Sequence, residues 1–173
     1  PGKIVIDEVP VPALQDGCAL VEVELAGICG TDVHLAFDEN PLPGAPDPYP
    51  LALGHEWVGR LTQAHPTFPS TDALGTPLRI GDRVVVYPRS WACGRCYACV
   101  ILLSPNNCLR PPDATPLPDI GGGFADQFSV PAGRTVFRVP ADLSLEVAVV
   151  TDTLAGASRA AARARRAGHP DAG

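Results

Sequence analysis

Four side chains that could take part in chemistry lie close together near the start of the chain. The segment at residues 27–34 supplies a thiol at Cys29, a hydroxyl at Thr31, a carboxylate at Asp32 and an imidazole at His34. A thiolate is a soft ligand that suits zinc. Strand-forming residues lead into the segment, and its two glycines predict a tight turn just past the strand. The same residues also fit an ordinary loop with a buried cysteine, because free cysteine often packs as a small apolar residue.

A second group of cysteines has the spacing of a metal-binding lobe. Four thiols follow one another as C-x2-C-x2-C-x8-C, at Cys93, Cys96, Cys99 and Cys108. Four thiolates fill the tetrahedral coordination of zinc, so the pattern predicts a structural zinc lobe over residues 88–112. The alternatives are disulfides and an iron–sulfur cluster. The close spacing, without a secretory signal, favours zinc over both.

Cys29 needs partners if it is to bind a metal, and the chain offers three. His55 and Glu56 follow a glycine at the predicted start of a strand, and Asp152 interrupts an Ala-rich apolar segment. A carboxylate in an apolar helix is expected to have a partner. Together these residues predict a mixed site with three or four protein ligands, the type in which catalytic zinc keeps an open position. The sequence leaves open which carboxylate binds the ion directly, and His55 alone would fit a hydrogen-bonded core histidine.

Short strand-forming segments separated by glycine and proline predict a mainly β domain. The 173 residues include 17 glycines and 20 prolines and suffice for one domain with a core. A proline-rich, stiff surface loop is expected at 37–50. One helix is expected over 145–167, with Asp142 or Ser144 as its N-cap and Gly168 at its end. Strands are expected at 3–9, 18–26, 51–61, 79–87 after an initial turn, 124–130 and 135–139.

The composition argues against several classes of protein. A net charge of −6 is unsuited to a surface for nucleic acid or for an anionic membrane. No apolar run approaches the length of a membrane span and the start has no signal-peptide pattern, so we expect a cytoplasmic location. The chain has no methionine, even at position 1. We therefore expect it to be a piece of a longer protein.

These motifs occur in a recognisable order with two further segments, Gly-Asp-Arg-Val-Val-Val at 81–86 and Gly-Gly-Phe-Ala-Asp-Gln at 122–127. Together with Gly-Ile-Cys-Gly-Thr-Asp-Val-His at 27–34 and Gly-His-Glu at 54–56, they resemble the catalytic, GroES-like domain of the zinc-dependent medium-chain alcohol and polyol dehydrogenases. The resemblance implies a mainly β fold with short helices (α+β), a partly open β-barrel that carries the structural zinc lobe. The domain would span residues 1–155. Residues 156–173 would end a helix and begin the link to a dinucleotide-binding Rossmann domain that is absent from this chain.

The resemblance also implies an activity. The intact enzyme would use NAD or NADP to oxidise a small primary or secondary alcohol, or a polyol, to the carbonyl compound, and the fragment alone would be inactive. The catalytic zinc is assigned to Cys29, His55 and Asp152, with Glu56 beside them, although the family usually has Cys or Glu at position 152. Two zinc ions per chain and a homo-oligomeric intact enzyme are expected.

A proton relay is the last part of the predicted site. Thr31 is placed to accept the proton of the substrate hydroxyl, and His34 to pass it to solvent. Thr31 also fits a turn hydroxyl that bonds its own backbone, and Asp32 fits a structural turn carboxylate. The alternative function is a non-catalytic, zinc-stabilised GroES-like binding or scaffold module. A zinc-free reductase of the same superfamily is disfavoured by the cysteine cluster and by Cys29 with His55.

Overall fold

The computed structural model describes five ranges of the chain, residues 3–37, 51–87, 96–101, 122–166 and 168. Within them the strands and helices are β1 (Ala19–Gly27), α1 (Gly30–Phe37), β2 (Glu56–Ala64), β3 (Arg83–Val86), α2 (Tyr97–Val100), β4 (Gln127–Val130), β5 (Val136–Arg138), α3 (Leu145–Ala148) and α4 (Thr151–Arg166). The strands form one antiparallel sheet in the order β4-β1-β2-β3-β5. The predicted mainly β fold with short helices is confirmed.

The apolar residues of the central strands alternate between two clusters. On β3, Val84 and Val86 pack in the larger cluster together with Trp57 and Phe128, whereas Val85 packs in the smaller one. Successive side chains of a strand point to opposite faces, so this uninterrupted valine run marks a strand that is covered on both sides. The ring centroids of Trp57 and Phe128 lie 4.6 Å apart. This pair brings β2 and β4 into contact across β1.

Helix α3 packs on the sheet and sets where α4 begins. Ala148 is fully buried in the smaller cluster, and Leu145 and Val149 pack against that cluster. A turn at 149–150 then separates α3 from α4, so the single helix predicted over 145–167 is wrong. The physical reason is a difference in burial. Apolar contacts hold α3 on the sheet, whereas none of the residues of α4 is buried. The two helices therefore do not form one continuous buried apolar face. Within the described residues, no helix combines the length and apolar character that crossing a membrane requires.

The remaining strand predictions have mixed outcomes. Strands are present at four of the predicted positions, as β1, β3, β4 and β5, and the strand predicted at 51–61 begins only at Glu56. The strand predicted at 3–9 is wrong, because that segment has no strand partner among the described residues and Ile6 is fully exposed. Alternating apolar and polar residues form a strand only where a neighbouring strand pairs with them. Apart from its first residue, the predicted proline-rich loop, 38–50, lies outside the described residues.

One carboxylate on β1 joins the three central strands of the sheet through two arginines. Glu24 Oε2 accepts a hydrogen bond from Arg83 Nε at 2.7 Å, and Glu24 Oε1 accepts one from Arg60 Nη2 at 2.9 Å. The hydrogen bond from Arg83, helped by Arg60, holds the pKa of Glu24 below its ordinary value of 4.5, although burial of the carboxylate acts in the opposite direction. The ion pairs thus stabilise the folded state wherever Glu24 is ionised.

We expect Glu24→Gln to lower the free energy of unfolding near neutral pH by on the order of 1 kcal/mol, as for a partly exposed ion pair. Because the folded-state pKa of Glu24 is lowered, its contribution is present above the ordinary pKa of 4.5 and is lost as the pH falls through the folded-state value. Denaturant unfolding at a series of pH values measures this difference, which should vanish in acid.

Glu8→Gln is the matched control for this prediction, because Glu8 is exposed and lies outside the sheet. It should leave stability nearly unchanged at every pH. An equal loss in both variants would show that Glu24 contributes no more than any surface carboxylate.

Candidate metal centre

Cys29 lies where the chain passes from β1 into α1, immediately before the first residue of the helix. The backbone N–H groups of Asp32 and Val33 donate to the carbonyl oxygen of Cys29 at 3.0 and 3.3 Å, which makes Cys29 the N-cap. The positive end of the helix dipole favours negative charge at this position. The chain changes direction here, but neither Gly27 nor Gly30 has a positive φ, so the turn does not depend on the special conformations of glycine.

Asp32 connects the helix start to the segment before β2. Its Oδ2 accepts a hydrogen bond from the N–H of Cys29 at 2.9 Å, the contact an acidic residue at the third helical position makes to its N-cap. Its Oδ1 accepts a hydrogen bond from the N–H of Gly54 at 3.0 Å and lies 3.3 Å from Nδ1 of His55. Asp32 is only 3% exposed. Asp32 therefore has the structural role in the turn that the sequence predicts. It also contacts a second segment of the chain, the one before β2.

The backbone at Gly54 directs the next two residues toward the end of β1. Gly54 has a φ of 90°, and a Cβ atom at this position would lie 2.6 Å from Cδ1 of Phe124, so a side chain here would be strained and would clash. After this residue the chain enters β2, whose first residue, Glu56, pairs with Gly27 at the end of β1. The register of the two strands thus pairs Glu56 with a residue only two positions before Cys29.

Three of the predicted ligands converge at this end of the sheet. One donor atom from each of Cys29, His55 and Glu56 lies within 4.8 Å of the other two. A thiolate sulfur, an imidazole nitrogen and a carboxylate oxygen are ligand types of zinc, and bond lengths of about 2.0–2.3 Å put them roughly 3.5 Å apart around a tetrahedral ion. The donor set therefore fits zinc with small adjustments. The His55 side chain is 30% exposed, so the group lies partly open to solvent.

The carboxylate of Glu56 is nearly buried and accepts a side-chain hydrogen bond. Glu56 is 9% exposed, and its Oε1 accepts a hydrogen bond from Thr153 Oγ1 at 2.8 Å. Glycine at position 27 leaves room beside the other oxygen, since a Cβ atom there would lie 3.2 Å from Glu56 Oε2. Sequence reasoning did not identify Thr153, since it lies 97 residues from Glu56 and no local motif surrounds it.

Asp152 lies in the first turn of α4, partly buried. Its carboxylate does not belong to the group formed by Cys29, His55 and Glu56. The sequence suggested that a carboxylate inside an Ala-rich helix needs a partner, but the break before α4 places Asp152 at a helix N-terminus. The helix dipole favours a carboxylate there without any metal. Direct binding of zinc by Asp152 stays a prediction.

Thr31 and His34 both lie on the exposed surface of α1. Residues three apart on a helix are neighbours on one face, so the two side chains lie on the same side of α1. The Oγ1 of Thr31 lies 3.8 Å from the Sγ of Cys29, which places this hydroxyl beside the donor group. The roles of both residues in a proton relay stay predictions.

The predicted structural zinc lobe falls mostly outside the described residues. Cys93 and Cys108 are outside them, as is the side chain of Cys99. Cys96 is half-buried and precedes the first residue of α2. The four-cysteine site over residues 88–112 therefore stays a prediction.

Comparisons with known proteins agree with the geometry. The family model for the alcohol dehydrogenase GroES-like domain matches residues 15–141. The chain is 35% identical over 145 residues to an uncharacterized zinc-type alcohol dehydrogenase-like protein of Haemophilus influenzae, covering 84% of this chain and 38% of that protein. It is 32% identical over 168 residues to the sorbitol dehydrogenase of Bacillus subtilis, covering 94% of this chain and 43% of that protein.

Among solved structures, the chain is similar to an alcohol dehydrogenase of Thermotoga maritima. The TM-score is 0.69 at 27% sequence identity, and the match covers 86% of this chain and 40% of the other. The chain thus spans about two fifths of the length of the relatives it matches, 38% and 43% for the two curated proteins above.

We expect Asp32→Asn to weaken zinc binding at the Cys29 site by roughly 10- to 100-fold, as is typical when a residue that orients a metal ligand is changed. An amide cannot reproduce a carboxylate that accepts hydrogen bonds from the N–H groups of Cys29 and Gly54 and also faces Nδ1 of His55. Competition with a chromophoric chelator measures the affinity.

Asp72→Asn is the control, because Asp72 is another buried carboxylate that accepts hydrogen bonds from backbone N–H groups, those of Leu74, Thr76 and Arg138. That variant should lose stability and keep its zinc affinity. Equal zinc affinity in Asp32→Asn and the unmodified protein would refute the orienting role of Asp32.

Proposed function

Since the chain belongs to the zinc-type medium-chain alcohol dehydrogenase family and corresponds to its GroES-like N-terminal domain, we propose that it is the catalytic-domain portion of a zinc-dependent NAD(P) alcohol dehydrogenase. The reaction is oxidation of a primary or secondary alcohol, or a polyol, to an aldehyde or ketone. The convergence of the donor atoms of Cys29, His55 and Glu56 is the observation that supports this proposal most strongly.

The donor set explains how the chain would serve that reaction. Cys29, His55 and Glu56 would hold the ion, with Asp152 as the further ligand that the sequence predicts, and a bound zinc would supply Lewis acidity that lowers the pKa of a substrate hydroxyl. Asp32 keeps the imidazole of His55 oriented, because its carboxylate faces Nδ1. A bound nicotinamide would accept the hydride of the substrate carbon, so the residues of this chain have the hydroxyl proton left to transfer.

The proton would leave through α1. Thr31 lies beside the donor group and accepts the proton of the substrate hydroxyl as it passes its own proton on. His34, one helical turn further and exposed, transfers that proton to solvent. This order requires the Thr31 hydroxyl, whose loss would remove the first step of the relay.

The rest of the proposed enzyme follows the family. Residues 1–155 form the catalytic domain, a partly open barrel with a second, structural zinc at the cysteines of 88–112. Residues 156–173 begin the link to a domain that binds NAD or NADP. The intact enzyme is homo-oligomeric and acts on small alcohols or carbonyl compounds. The alternative is a zinc-stabilised binding or scaffold module without turnover.

Zinc content and dehydrogenase activity of the native enzyme test the proposal together. We expect two zinc ions per chain and reduction of NAD or NADP with alcohols and polyols. Cys29→Ser should lose one zinc and all activity, while Cys18→Ser, a half-buried cysteine elsewhere in the fold, should keep both. Full zinc content without turnover on any alcohol would favour the binding module, and an unchanged zinc content in Cys29→Ser would rule out the catalytic centre.

Thr31→Val in the same enzyme should lower turnover about 100-fold or more while zinc content is unchanged, because general acid–base steps contribute on that scale. Thr31→Ser keeps the hydroxyl and should retain most of the activity. Steady-state kinetics with parallel elemental analysis measure both quantities. Undiminished turnover in Thr31→Val would remove Thr31 from the relay.

A further inference from the structure

Glu56 is a nearly buried carboxylate whose position depends on a contact from a distant part of the chain. The side-chain donor that the described residues provide to its Oε1 is the hydroxyl of Thr153, at 2.8 Å. A carboxylate that is 9% exposed needs such a partner, because leaving it without a hydrogen bond costs free energy. The hydrogen bond also joins the first residue of β2 to the first turn of α4.

The glycine at the end of β1 leaves room for the Glu56 side chain. A Cβ atom on Gly27 would lie 3.2 Å from Oε2 and 3.6 Å from the Cβ of Glu56, and 3.7 Å from Cγ2 of Val149. The end of β1 therefore lies next to Oε2 of Glu56, and the first turn of α4 contacts Oε1. With Thr153 donating to Oε1, the carboxylate also lies close to the donor atoms of Cys29 and His55.

We propose that Thr153 is a positioning residue for the metal centre. Its hydroxyl holds the Glu56 carboxylate toward Cys29 and His55, and so sets the affinity of the site for a divalent metal such as zinc. The inference rests on the proposed function only in taking this donor group as a zinc site. It assigns a role to α4 that does not require Asp152 to bind the ion.

The helical register explains why the neighbouring acidic residue does not take this role. Consecutive residues of a helix point about 100° apart, so a register that places Thr153 against Glu56 turns Asp152 in another direction. The chemistry agrees with the geometry, since a hydroxyl can donate a hydrogen bond to a carboxylate.

The test is zinc affinity, measured in the full-length protein by competition with a chromophoric chelator. Cys29→Ser identifies which binding component belongs to this site and separates it from any structural zinc. Thr153→Val preserves the shape of the side chain and removes the donor. Thr153→Ser keeps the donor. Thr151→Val is the matched control, because Thr151 lies two residues earlier and its hydroxyl donates to the carbonyl of Ala148 instead.

We expect the zinc affinity of the Cys29 component to fall roughly 10- to 100-fold in Thr153→Val and to remain within about two-fold in Thr153→Ser and Thr151→Val. Equal affinity in Thr153→Val and the unmodified protein would overturn the proposal, as would an equal loss in Thr153→Ser. If the unmodified protein and Cys29→Ser bind zinc alike, the site itself is absent and the proposed function fails instead.

Discussion

One buried carboxylate holds together the two segments that carry the donor atoms of the metal centre. Asp32 accepts the N–H of Cys29 and the N–H of Gly54, and its Oδ1 faces the imidazole of His55. These contacts fix the distance between the start of α1 and the start of β2 by hydrogen bonds within the protein. A metal ion bound by these residues would meet ligands that are already oriented, and little binding energy would be spent on ordering them.

The sheet completes this arrangement through strand register. Glu56, the first residue of β2, pairs with Gly27, the last residue of β1, so the carboxylate emerges beside the chain that continues to Cys29. A Cβ atom at position 27 would lie 3.2 Å from Glu56 Oε2, so glycine there leaves room for the carboxylate without any special backbone conformation. The donor set is therefore a consequence of how two neighbouring strands end, and the two clusters of apolar residues that cover the sheet keep those ends in place.

The features that could be predicted from the sequence are those that local residue patterns determine. The main strands and the candidate pairing of Cys29 with His55 and Glu56 could be found from hydrophobic patterns and ligand chemistry. The strand predicted at 3–9 was wrong because alternation says nothing about whether a partner strand exists. The contact between Glu56 and Thr153 could not be predicted, since it depends on where α3 packs on the sheet, and residues 97 apart carry no shared motif.

The break between α3 and α4 changes how the acidic residue that follows it is interpreted. In an unbroken helix Asp152 would be an interior carboxylate in need of a partner, and a metal would be a reasonable one. In the observed structure it lies in the first turn of α4, where the helix dipole favours its charge, so its presence no longer argues for ligation. The sheet end then supplies the donor atoms, and the helix that begins beside it contributes orientation through the hydroxyl of Thr153.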